Sequence, residues 1–257
     1  MGDLLVEEDL GDGIRVLKLN RLPVNALDLN FLRVIEKHFA ALENDHGLKA
    51  LVLTADGKTL SAGMDLKSIT TLDVDGQRDM VDAFSKTFIR LYSFPKPLIV
   101  AVNGHAIAGG LFIVLAGDYH IGVEGRSQFG LTEVRVGVRF PVGPMEIARA
   151  ELGPQALRRL LISGQNADVQ TARSWGILDE LVAPADLMQR AIEIAHDYAA
   201  IPPLAFAGVK AQTRAPTVDL VRKAIADESD PLRPNWFTTE TLAAANALLE
   251  GAKARAN

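Results

Sequence analysis

Cysteine is absent from the 257-residue chain, which excludes disulfides, thiolate nucleophiles and thiolate metal sites. Positive charge is not in excess either: 27 lysines and arginines stand against 32 acids, for a net charge of −5. Without a basic footprint, non-specific nucleic-acid binding is excluded, and no block of like charge marks a tail. The opening MGDLLVEEDL is acidic where a secretory leader is basic, and no apolar core follows it; a cytoplasmic location is expected. Several chemical signatures are missing as well. Gly57-Lys58-Thr59 ends like a phosphate-binding loop, but Val52 stands where that loop needs its first glycine. No glycine-rich dinucleotide fingerprint, no G-x-S-x-G nucleophile elbow and no H-E-x-x-H zinc helix occurs. His38, His46, His105, His120 and His196 show no ligand spacing, so no metal and no redox cofactor is expected. A long apolar run occurs once, from Leu98 to Gly117, and Asn103-Gly104-His105 and Gly109-Gly110 interrupt it. No basic flank or aromatic belt supports insertion. A buried strand, a turn and a buried helix account for it, and no membrane association is expected.

What remains is ordinary globular material, 48% hydrophobic and 23% charged. Ile14–Leu19 has strand composition with partial alternation, and Asn20-Arg21-Leu22-Pro23 breaks it. Beyond Asp28, a good helix N-cap, Leu32, Ile35, Phe39 and Leu42 recur at spacings of three and four and define one helix face. Leu51–Thr54 reads as a strand buried on both sides. Met80, Phe84, Phe88 and Leu91 make one face of a helix over 77–92, and Leu98–Val102 is the next strand. Strand, turn and helix alternate in this way through the N-terminal half, which predicts α/β architecture. From about residue 185 strand signals vanish. Helices are expected over 187–200, 204–212, 218–226 and 238–254, with Pro202-Pro203 as the joint. The boundary therefore divides an α/β core, 1–200, from a helical C-terminal region, 201–257.

Two glycine-containing turns follow buried strands: Ser61-Ala62-Gly63-Met64-Asp65-Leu66-Lys67, and Asn103-Gly104-His105-Ala106-Ile107-Ala108-Gly109-Gly110, which runs into an apolar helix. Each can present free backbone N–H groups at one end of a sheet, because the first amides of a helix lack partners and its dipole favours negative charge there. Two such donors converging on one point are what an oxyanion requires. The plainer reading is that these glycines serve tight turns and close packing.

Those two turns have company. Asn20-Arg21-Leu22-Pro23 with Asn25-Ala26-Leu27, the Ser61–Lys67 turn, Lys96–Gly104 with Ala108-Gly109-Gly110, and Gln128-Phe129-Gly130-Leu131-Thr132-Glu133 with Gly137 occur in one order across roughly residues 5 to 185. In these four motifs the chain resembles the crotonase (enoyl-CoA hydratase/isomerase) superfamily. The resemblance implies a crotonase-like spiral of repeated ββα units with a helical C-terminal region serving trimerisation or as a lid, assembled as a homotrimer or a dimer of trimers. It implies an acyl-CoA thioester substrate, with coenzyme A entering as part of the substrate and no separate cofactor. The N–H groups of Met64 and Gly109 fall at the oxyanion-hole positions. Ala62, Asp65, Leu66 and Lys67 would line the coenzyme A path, Lys67 approaching a phosphate and Asp65 shaping its turn.

Hydratases of the superfamily use two glutamates. Here the first position, two residues after Gly110, is Phe112, and the second is Glu133. A phenyl ring cannot hold or activate water, so the two-acid machinery is incomplete. One carboxylate facing an oxyanion hole is enough to move a proton. The pattern Ala108-Gly109-Gly110-Leu111-Phe112 followed by Asp118-Tyr119 resembles the 3,2-trans-enoyl-CoA isomerase branch. The expected activity is therefore double-bond migration from 3-enoyl-CoA to trans-2-enoyl-CoA, with Glu133 as catalytic acid–base and Phe112 as an apolar neighbour that raises its pKa. The alternatives are an enoyl-CoA hydratase or another crotonase lyase, and a non-catalytic acyl-CoA-binding protein. Trp236 and Phe237 are expected to be packing anchors, with no substrate contact assigned to them.

Overall fold

The computed structural model describes residues 3–256. The first half of the chain forms β1 (Leu5–Asp9), β2 (Ile14–Leu19), α1 (Leu29–Glu43), β3 (Ala50–Ala55), β4 (Thr59–Ser61), α2 (Leu66–Ile69), α3 (Val74–Tyr92), β5 (Leu98–Val102), β6 (His105–Ile107), α4 (Gly109–Leu115), β7 (Tyr119–Val123) and β8 (Gln128–Gly130). A 3₁₀ turn, Glu133–Val136, comes next. The second half forms α5 (Val142–Glu151), α6 (Pro154–Leu157), β9 (Asn166–Asp168), α7 (Val169–Ser174), β10 (Glu180–Val182), α8 (Leu187–Ala199), α9 (Pro203–Ala226) and α10 (Thr239–Ala256).

The strands make two sheets, ordered β1-β2-β3-β5-β7-β10 and β4-β6-β8-β9. Among the described residues pairing is antiparallel only for β1 with β2 and β8 with β9; the rest is parallel. All six residues of β3 are buried, and its side chains alternate between two apolar layers. Leu51 and Leu53 join the main core with Phe31, Phe39 and Phe88, whereas Ala50 and Val52 meet Leu187, Ala191, Ile194 and Ala195 of α8. A sheet covered on both faces is why this stretch reads as an unbroken apolar run.

The winding follows from which sheet each strand enters. β3, β5 and β7 lie in the larger sheet, and the strands that follow them, β4, β6 and β8, lie side by side in the smaller one. Each pair is followed by helix before the next begins. This is the spiral of ββα units that the resemblance implied, with a helical C-terminal region after it.

The structure corrects the sequence reading in three places. The three-residue strands β4 and β6 are absent from the sequence reading, β6 lying inside one segment read as a turn and β4 ending on the first residue of the other, because so short a strand leaves no periodic signature. The two helices expected on either side of Pro216 are one, α9, which runs through that proline. Tertiary contacts hold it. Lys210, itself buried, and Arg214 pair with Asp118 at 2.6 and 3.1 Å, Arg214 caps the carbonyls of Ala116 and Gly117, and Val218 and Val221 enter the core. Finally, α3 begins at Val74, capped by Asp73 accepting from the Gly76 amide at 2.8 Å. The apolar run Leu98–Gly117 folds as β5, β6 and α4, and no helix among the described residues is long and apolar enough to cross a membrane.

Candidate active site

Three adjacent parallel strands of the smaller sheet, β4, β6 and β8, deliver three loops to one place. The carboxyl ends of parallel strands commonly host ligands, since the chain must leave the sheet there with its backbone groups unpaired.

The loop after β4 is pinned by residues of the first motif. Asn25, wholly buried, donates from Nδ2 to the carbonyls of Asp56 and Thr59 at 3.0 and 2.9 Å. Ser61 Oγ donates to the Asn25 carbonyl at 2.8 Å and accepts from the Gly63 amide at 3.1 Å. Leu27 then bridges this loop in parallel fashion, donating to the Gly63 carbonyl at 2.7 Å and accepting from the Asp65 amide at 2.9 Å. A residue flanked in this way has its own N–H and C=O turned to the opposite side. That residue is Met64.

The loop after β6 comes within packing distance of it. A Cβ on Gly63 would stand 2.4 Å from Ala108 Cβ and 2.8 Å from the Ile107 carbonyl, and Gly63 has φ +81°, so only glycine permits both the conformation and the approach. Ala108 itself has φ +53° and ψ −126°, a sparsely populated conformation costing about 1–3 kcal/mol. It is held by its amide donating to the Gly130 carbonyl at 2.7 Å and by its carbonyl accepting from the Leu111 amide at 2.9 Å. The bend swings the chain straight into α4 with Gly109 as first residue and no side-chain cap. Among the described residues the N–H groups of Met64 and Gly109 donate to no acceptor.

Past β8, the 3₁₀ turn carries Glu133 at its start and ends on Gly137 with φ +66°. The residue as a whole is half-buried, yet its Oε2 is sealed from solvent and, among the described residues, has no hydrogen-bond partner. Burial without a counter-charge pushes the carboxyl from 4.5 up to about 8.

These loops enclose a cavity of about 310 Å³, and Ala62, Met64, Asp65, Leu66, Lys67, Gly109, Phe112 and Glu133 all line it. Phe112 is buried and sits with Phe88 on one side and Phe140 on the other, ring centroids 5.6 and 6.0 Å away. At the mouth, Lys67 is exposed. Asp65 caps α2 through the Lys67 amide at 3.0 Å and pairs with Arg21 Nη2 at 2.7 Å. Burial would raise the Asp65 carboxyl, but the Arg21 guanidinium and the Lys67 amide together hold it below the usual range. Arg21 also pairs with Asp28 at 2.8 Å and donates to the Ala26 carbonyl at 2.7 Å. The first motif therefore buttresses the cavity wall from behind.

Other cavity residues escaped the sequence reading. Trp236 is buried, as an anchor should be, and it also lines the cavity together with Phe84, Val138 and Leu248. Helix periodicity marks Phe84 as core without saying which void it borders, and the segment bearing Trp236 has no periodicity at all. Among the described residues no cluster of three or more metal-ligating side chains is present.

A sequence model described as enoyl-CoA hydratase/isomerase matches residues 9–244. Human mitochondrial enoyl-CoA delta isomerase 1 is 31% identical over 227 residues, covering 87% of this chain and 75% of that protein. The short-chain-enoyl-CoA hydratase of Clostridium acetobutylicum is 29% identical over 243 residues, covering 93% of this chain and 92% of that one. Among solved structures, human mitochondrial delta3-delta2-enoyl-CoA isomerase matches with a TM-score of 0.92 at 27% identity, over 99% of this chain and 100% of that one.

Proposed function

The chain belongs to the enoyl-CoA hydratase/isomerase family, and from that premise we propose that it converts 3-enoyl-CoA to trans-2-enoyl-CoA. One observation carries the reading. Among the described residues two acids line the cavity, Asp65 and Glu133; Asp65 is committed to Arg21 and its own helix cap, which leaves Glu133, with an oxygen that has no partner among those residues.

The thioester oxygen accepts from the N–H groups of Met64 and Gly109. Glu133, as carboxylate, takes a proton from carbon 2, and the electron pair of that C–H bond spreads over the double bond and the thioester as a dienolate. The two amides hold the charge on oxygen. The Glu133 carboxyl then gives the same proton to carbon 4, the double bond settles between carbons 2 and 3, and the carboxylate is regenerated. No water enters and none is released. A carboxyl whose pKa lies near the working pH gives and takes a proton at little cost, a contribution of about 10²–10⁴-fold. Each oxyanion donor adds about 10²–10³-fold. Phe112, standing where a second acid would hold water, keeps the dienolate dry. Coenzyme A is part of the substrate and leaves the cavity past Ala62, Leu66 and Lys67.

A second reading, hydration, is favoured by the likeness over 93% of the chain to a short-chain-enoyl-CoA hydratase. The two separate on incubation with a 3-enoyl-CoA and, apart from it, a trans-2-enoyl-CoA, followed by chromatography and mass. Migration of the double bond with no 3-hydroxyacyl product supports isomerisation. Gain of the mass of water by the 2-enoyl substrate establishes hydration instead. Saturable binding with neither product reduces the protein to an acyl-CoA binder.

A further inference from the structure

We propose that Trp236 is the stop that sets the longest acyl chain this cavity accepts. The inference rests on the reading of the cavity as an acyl-CoA site and adds the residue that gives it a length limit.

The cavity lining grades from exposed to buried, with Met64, Asp65, Leu66 and Glu133 half-buried between the extremes. Ala62, Lys67 and Leu248 are exposed, whereas Phe84, Phe112, Val138 and Trp236 are buried. Phe84 lies directly behind Gly109, its Cε1 3.3 Å from where a Cβ on that glycine would stand. Trp236 meets Phe84 edge to face at 5.6 Å. A thioester whose oxygen rests on Met64 and Gly109, and whose coenzyme A runs out past the exposed residues, points its acyl tail at this buried wall.

Trp236 is built as a fixed stop. The segment between α9 and α10 that bears it has no helix or strand, yet it is tied down at every turn. Asp230 accepts from the Val142 amide at 2.7 Å, Arg233 pairs with Asp82 at 3.1 Å, and the Phe237 amide donates to Gln77 Oε1 at 2.9 Å. The indole is locked on two sides. Its Nε1 donates to the Arg139 carbonyl at 2.7 Å, and its ring stacks on Phe237 at 4.7 Å with 20° between planes. A large aromatic body fixed by a hydrogen bond at its polar tip gives an apolar pocket a rigid end wall. Phe237, behind it, does not border the cavity.

The test is calorimetric binding of saturated acyl-CoA thioesters, from hexanoyl to hexadecanoyl, to the full chain and to Trp236→Leu, Trp236→Ala and Phe237→Leu. Folding of each variant is checked by its melting transition. In the unaltered protein, affinity climbs with chain length and then breaks. Trp236→Leu and Trp236→Ala move the break to longer chains, and the first chain refused by the unaltered protein gains about tenfold or more in affinity, the value of a methylene in an apolar pocket. Phe237→Leu lowers the melting point and leaves the break in place. If Trp236→Ala does not fold, Trp236→Leu decides. The proposal is overturned if either folded Trp236 variant keeps the original break, if Phe237→Leu moves it equally, or if the unaltered protein has none. Because saturated thioesters do not react, a shifted break with no turnover of enoyl-CoA would sink the isomerase reading alone. Turnover with an unshifted break would sink the length stop alone, and absence of any acyl-CoA binding would sink both.

Discussion

Replacing Glu133 by glutamine should stabilise the protein in alkali while removing its activity. The buried, unpaired carboxyl has its pKa raised from 4.5 to about 8, so the folded chain binds the proton more tightly than the unfolded chain does. Stability linked to this group is therefore fully present below pH 4.5, falls as pH rises, and is fully lost above about pH 8. Converting the interval between 4.5 and about 8 at about 1.4 kcal/mol per pH unit gives a cost on the order of 5 kcal/mol at alkaline pH. At about pH 5 the cost is under about 1 kcal/mol, because that pH lies only about half a unit above the unfolded carboxyl's 4.5. Glutamine does not titrate. The stability difference between Glu133→Gln and the unaltered protein should thus grow in the variant's favour by about 4 kcal/mol between about pH 5 and about pH 9. Urea unfolding at a series of pH values measures it, and other titrating groups cancel in the comparison. Parallel stability curves for the two proteins, differing by less than about 1 kcal/mol in their pH dependence, would refute a carboxyl buried without a partner. The same variant should turn over neither enoyl-CoA and still bind saturated acyl-CoA. Site residues that cost stability in this way are the usual trade between activity and folding.

Other consequences can be checked on the same protein. The log of kcat/KM for 3-enoyl-CoA should rise with pH and level off near the Glu133 value of about 8, since the free enzyme must be deprotonated to act as base; a flat profile from acid to alkali would contradict this. Gly63→Ala places a methyl 2.4 Å from Ala108 Cβ at φ +81°, forcing apart the loops that carry Met64 and Gly109. Steady-state kinetics should show kcat reduced by about 10²-fold or more, the value of one oxyanion donor. Asp118→Asn, outside the cavity, removes the counter-charge of buried Lys210 and half-buried Arg214. Urea unfolding should register a loss of about 3–5 kcal/mol, with the KM of whatever folded protein remains unchanged.

Much of this protein was legible in its residue order because the information was local. Asp28 caps α1, and the alternation of Leu32, Ile35, Phe39 and Leu42 orients it. The apolar runs of β3 and β5 announce strands covered on both faces. The motifs placed Met64, Gly109, Glu133 and Phe112 in one family pattern, and those residues do line one cavity. Other features depended on neighbours distant in the chain. That β4, β6 and β8 lie side by side is decided by the spiral, since three-residue strands form only where a sheet edge awaits them. The positive φ of Ala108, which no alanine adopts by preference, is imposed by its bonds to Gly130 and Leu111. Trp236 enters the cavity wall only because Asp82, Gln77 and Val142, all more than ninety positions away or nearly so in sequence, pin its segment there. Sequence alone determined which chemical groups were available and which elements would carry them. The tertiary structure determined which amides were left without partners and which carboxyl oxygen was sealed from solvent, because unpaired N–H groups and desolvation are properties of a packed surface, and no residue has them by itself.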